Sequence, residues 1–134
     1  MNPVVHFELP AEDRQRMIDF YTKAFGWKAQ DLGPEMGNYV TVQTTETDEN
    51  HMVKTPGQIN GGFYMKQPDV HTPTIVIAVD DIQEAMKIVK ENGGTVVGGS
   101  YKAGEPDDIP GVGLYCGIID TEGNRVAMLQ PKGM

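Results

Sequence analysis

The chain opens on an extended pattern. Residues 4–9 mix β-branched and alternating positions and stop at Pro10, which predicts a strand. With Asp13 as cap, Met17, Phe20, Tyr21, Ala24 and Phe25 recur at helical spacing, so residues 13–25 are expected to form an amphipathic helix ended by Gly26. Residues 74–79 read as a second such strand. Asp81 with Glu84 three residues on resembles a capping box, followed by the stripe Ile82, Ala85, Met86 and Val89 and a stop at Asn92-Gly93-Gly94. Further strands are expected over residues 28–31, 39–43 and 59–65, and over 95–97, 113–119 and 125–130. Residues 120–124 are a turn by composition, and the polar stretch 44–57 reads as a mobile loop.

These patterns repeat. His6 and Thr74, Met17 and Ala85, Phe20 and Ile88, Tyr21 and Val89, and Gly26 and Gly94 are each 68 residues apart. So long a period points to duplication of a supersecondary unit. The expected fold class is α+β: one domain over residues 1–134 made of two βαβββ modules, about 1–67 and 68–134. Phe20, Tyr21, Ile88 and Val89 should all pack behind the sheet.

With 134 residues and 39% hydrophobic content, one core can form without staples. A net charge of −8 argues against nucleic acid, whose binding needs clustered Lys and Arg. The apolar runs are far shorter than the roughly 20 residues of a membrane-spanning helix. Cys116 is the only cysteine, and no apolar run follows an N-terminal basic stretch, so a reducing cytoplasm is the expected location.

At this point the residues resemble a known family. His6-Phe7-Glu8-Leu9-Pro10-Ala11, Phe20-Tyr21, Phe25-Gly26-Trp27, Val79-Asp80-Asp81, Pro110-Gly111-Val112-Gly113, then Asp120, Gly123-Asn124 and Gln130 follow the order of the vicinal oxygen chelate superfamily. Within it the chain is most similar to the short glyoxalase-like, bleomycin-resistance-like branch. The resemblance implies a curved, open, eight-stranded mixed sheet, helices on its convex side, a small molecule in its concave side, and often a divalent metal. It also implies a homodimer, which would cover the sheet's edges. Carried over by position, the metal ligands fall on His6, Thr74, Ala127 and a residue within 61–64; only His6 keeps the family's ligand, and alanine cannot bind a metal. No cofactor is therefore predicted, and a divalent metal enters only through His6.

His6 and Glu8 are two apart on a strand and share a face, with Thr74 expected opposite His6. His6 reads as a hydrogen-bonded histidine of the inner face, a ligand contact, or a metal ligand. The candidate ligand-binding residues are His6, Glu8, Asn60, Tyr64, Thr74 and Tyr115, and Glu8 is the candidate catalytic residue, as a proton carrier. Asn60-Gly61-Gly62 is either a turn or bulge, or a place where small residues let a ligand approach the backbone. Met65 and Met128 could line an adaptable apolar pocket. His51 and His71 read as exposed loop residues, and Cys116 as a buried small side chain. Three functions remain open: a small-molecule-binding glyoxalase-like protein, a metal-dependent lyase, isomerase or dioxygenase, and an antibiotic- or metabolite-sequestering protein.

Overall fold

A computed structural model describes residues 1–132. Its elements are β1 (Val4–Ala11), α1 (Arg14–Phe25), β2 (Lys28–Asp31), β3 (Val40–Gln43), β4 (Asn60–Met65), β5 (Thr74–Ala78), α2 (Ile82–Glu91), β6 (Thr95–Gly98), β7 (Asp107–Ile109), β8 (Gly113–Ile119) and β9 (Arg125–Pro131). The fold is α+β. The chain divides into two compact units, residues 6–73 and residues 1–5 together with those from 74 onward. Pro3 belongs with the second, its carbonyl accepting the Ala78 N–H at 2.9 Å.

Both units follow one plan. In the first the strand order is β2-β3-β4-β1, with β1 parallel to β4 and the other pairs antiparallel. In the second the order is β5-β9-β8-β6, with β5 parallel to β9 and the rest antiparallel. Each is an open, mixed sheet with one helix packed on one face. The short β7, paired with β8, is an addition that the sequence pattern missed. Two of its three residues are Asp, and it is held by tertiary bonds: the buried Asp107 carboxylate accepts from the Ser100 N–H at 2.7 Å.

Pro10 does not end β1, which runs on to Ala11. The Ala11 carbonyl accepts from Lys66, just past β4, so Ala11 faces that neighbour and the Pro10 nitrogen, one residue earlier, faces away. The helix signals act as expected. Asp13 accepts from Arg16 N–H, Asp81 from Glu84 N–H, and Gly26 closes α1 at φ 74°.

Packing corrects the stripe. Met17, Ile18 and Tyr21 face the first core of Ala11, Val40, Val42 and Phe63, and Ile82, Met86 and Val89 face the second around Cys116, Ile118 and Met128. Phe20 is 57% exposed and Ile88 47%, so neither packs behind its sheet. Each lies one residue, about 100° around the helix, from the Tyr21 and Val89 that do.

Residues 44–57 hold more local structure than their composition suggests. Thr47 bridges Val53, and the Asp48 carboxylate accepts from Asn50 and Met52 N–H groups. No helix among the described residues is long and apolar enough to cross a membrane.

Candidate functional site

Alternation along β1 sorts its side chains. Phe7, Leu9 and Ala11 enter the core under α1, which turns His6, Glu8 and Pro10 to the other face. The same logic on the neighbouring strands sends Val40, Val42, Gly61 and Phe63 toward α1, and Tyr39, Thr41, Asn60, Gly62 and Tyr64 to the side of His6. Behind that face the Tyr21 ring stacks on Trp27 at 4.6 Å and meets Phe63 at 5.4 Å, so the floor is braced by packed aromatics.

The centre of the face is a polar pair. His6 Nε2 lies 3.0 Å from the Tyr39 hydroxyl. Burial pulls the His6 pKa below its ordinary value by disfavouring the charged ring, against a smaller upward pull from the nearby Glu8 carboxylate. Glu8 is only 7% exposed. It lies beside Gly62 in the β1–β4 register, as His6 lies beside Asn60.

Asn60, Gly61 and Gly62 form neither turn nor bulge, because β4 runs through them in unbroken register with β1. Their smallness serves the protein's own rings. A Cβ on Gly61 would strike the Phe7 ring, and one on Gly62 would strike the Tyr39 phenol. Tyr39 was absent from the sequence candidates. The Gly-Gly pair was its signal, but composition does not reveal what fills the room a glycine leaves.

The other candidates are placed as follows. Asn60 Oδ1 accepts the N–H groups of Thr44 and Thr45, and the Tyr64 hydroxyl donates to the Thr72 carbonyl at 2.6 Å, so both secure neighbouring loops. Thr74 and Tyr115 belong to the second unit, on its face turned away from α2. Their strands are separated by β9: Tyr115 pairs with Leu129, and Val76, two residues beyond Thr74, aligns with Ala127. Met128 is buried against α2, and Met65 shares the α1 side with Phe63, so neither lies on its unit's outer face. Cys116 is buried in the second core, where desolvation pushes its thiol pKa up. His51 and His71 are exposed. Two open clefts lie around the start of α1 and the end of β4, lined in part by Glu12, Arg16, Phe20 and Lys66, and neither includes His6, Glu8 or Tyr39.

Residues 4–128 match the profile of the Glyoxalase/Bleomycin resistance protein/Dioxygenase superfamily. The chain belongs to that superfamily. A glyoxylase-like domain-containing protein of Didymella fabae is similar to it, 29% identical over 130 residues that cover 94% of this chain and 91% of the relative. Among solved structures, a hypothetical protein from Bacillus halodurans C-125 shares the fold with a TM-score of 0.69 at 15% identity, over 99% of this chain and 96% of that one. Streptomyces coelicolor methylmalonyl-CoA epimerase in complex with 2-nitronate-propionyl-CoA matches with a TM-score of 0.67 at 11% identity, over 97% of each chain.

For a member of this superfamily the donor set is unusual. A divalent ion needs three or more oxygen or nitrogen donors around one point. Of the positions that the resemblance marks, Ala127 has no donor atom, residues 61–64 include no His, Asp or Glu, and the His6 Nε2 is engaged by Tyr39. Among the described residues no three His, Cys, Asp or Glu side chains gather to hold a metal. The residues present do not fit the superfamily's metal cage.

Proposed function

We propose that this glyoxalase-like protein binds a small organic molecule, with no metal required, on the face of residues 6–73 turned away from α1. The buried Glu8 beside the His6–Tyr39 pair carries the reading, since a carboxylate is rarely retained inside a fold that has no use for it. Asn60 and Tyr64 flank the centre. The imidazole is favoured in its neutral form, and Glu8 is the one acidic group of the centre. An uncharged or cationic molecule is therefore preferred over an anion. The protein acts as one domain, as a homodimer in a reducing cytoplasm.

A fragment screen by two-dimensional NMR, run with and without chelator, tests this. Binders should shift the amides of His6, Glu8, Tyr39 and Gly62 equally in both conditions. Binders that map only to the clefts beside α1, or that need added metal, would count against it. Sedimentation should give a species of twice the chain mass.

A second reading is an isomerase-type enzyme. An epimerase shares the fold, and Glu8 is placed to take a proton from a bound molecule. Glu8→Gln should then abolish solvent-deuterium incorporation into a turned-over ligand while leaving its affinity within a few-fold.

A further inference from the structure

We infer that Tyr39 is the residue that closes this site to metal ions. The inference rests on the proposed metal-free reading of the face, and it names the device. An imidazole binds a cation through the lone pair of a ring nitrogen. The phenol lies 3.0 Å from His6 Nε2, where a cation would approach. Three features hold it there. Gly62 leaves the space, since a Cβ would overlap the hydroxyl and its ring. The backbone at Tyr39 is pinned on both sides, its carbonyl accepting the Leu32 N–H at 2.9 Å and its own N–H donating to the Met36 carbonyl at 3.2 Å. That connection is folded by a single helical turn, Pro34–Met36, with Gly37 at φ 66°, so the tyrosine is delivered by a compact local structure.

The β1–β4 register adds the second donor. Glu8 lies beside Gly62 and on the face of His6, so imidazole and carboxylate flank the space that the phenol fills. Removing the phenol would leave a two-donor half-site open to a divalent ion. Tyr39 thus determines which chemistry the face admits: hydrogen bonding when present, coordination when absent.

Ni²⁺ is the probe, titrated calorimetrically into the whole chain as parent, Tyr39→Ala and Tyr39→Ala with His6→Ala. Tyr39→Ala should bind Ni²⁺ about threefold to tenfold more tightly than the parent, the equivalent of one net hydrogen bond that the ion no longer displaces, and the added His6→Ala should abolish the gain. If Tyr39→Ala does not fold, Tyr39→Phe keeps the ring, and the nitrogen resonances of His6 are followed instead. Loss of the hydroxyl must move the Nε2 signal. A parent that binds Ni²⁺ through His6 as tightly as Tyr39→Ala, or an Nε2 signal indifferent to Tyr39→Phe, overturns the inference. The ion titrations need no organic ligand, so an empty fragment screen would defeat the proposed function and leave this result standing.

Discussion

The two units share a scaffold and differ in what they place on it, and their internal registers allow a residue-by-residue comparison. His6 and Glu8 of β1 correspond to Thr74 and Val76 of β5 through the 68-residue offset. Further along the chain that offset no longer applies, because the second unit inserts β7 ahead of β8 and the first has the longer connection, residues 44–59, between β3 and β4. There the pairing partners give the correspondence. Val40 opposes Phe63 and Cys116 opposes Met128, each partner buried under its helix, so Val40 matches Cys116, Gly62 matches Ala127, and Tyr39 matches Tyr115. Each unit therefore has a tyrosine on the outer face at the matching place, Tyr39 just before β3 and Tyr115 within β8. Only the first has a glycine beneath it. Ala127 carries the Cβ that would exclude a ring from the place Tyr39 takes over Gly62. One methyl group and one buried carboxylate distinguish the centre of the first unit's face, Glu8 with Tyr39 over Gly62, from its counterpart, where Val76 and Ala127 stand.

Exchanging the residues that distinguish the units should expose the difference, most strongly where charge is involved. Val76 is 1% exposed, and Val76→Glu, which copies Glu8 into the second unit without its surroundings, should lower unfolding free energy by about 3–5 kcal/mol. A loss under about 1 kcal/mol in urea denaturation would show that the second face already accommodates a carboxylate. Gly62→Ala copies Ala127 into the first unit and should cost about 1–3 kcal/mol by overpacking against Tyr39. Combining it with Tyr39→Ala should restore most of that loss, which a double-mutant cycle would measure.

Between about pH 5.5 and about pH 7.5 the pH dependence should also trace to the first unit's face. His6 has a folded pKa below its ordinary 6.5, so on acidification the unfolded chain takes up the proton first. Its contribution to stability is complete above about pH 6.5 and falls as pH drops from there toward the folded pKa. His6→Thr, copying Thr74, should flatten urea midpoints between about pH 7.5 and about pH 5.5. The smallest effects belong to the matched helix positions Phe20 and Ile88, both exposed. Phe20→Ala and Ile88→Ala should each change thermal stability by no more than about 0.5 kcal/mol. A larger loss in a dilution-dependent melt would place one of them in a subunit contact.

Much of this molecule was readable from residue order. Short-range rules placed both helices and their caps, eight of the nine strands, and the turn in which Asp120 accepts from Glu122 and Asn124 N–H groups. Period-2 alternation put His6 and Glu8 together on the face away from α1. The misses have a common cause. Phe20 fits an apolar stripe and Ile88 is its match in the 68-residue repeat, but which side of a helix meets the sheet is decided by helix orientation. β7 lacks strand composition and exists through its pairing. Asn60 and Tyr64 are polar residues on the right face, yet the folded chain uses them to hold residues 44–45 and the Thr72 carbonyl.

By itself, the sequence determined that the chain is a duplicated βαβββ protein of the glyoxalase-like superfamily and that three of the superfamily's metal positions carry no His, Asp or Glu. Those properties depend on residue type and spacing, which are local. Only the tertiary structure decided that Tyr39 stands at His6. That contact joins residues 33 positions apart and depends on the room above a glycine on a third strand. Composition records that Gly62 has no side chain; the packing of β1, β3 and β4 settles which ring occupies the space.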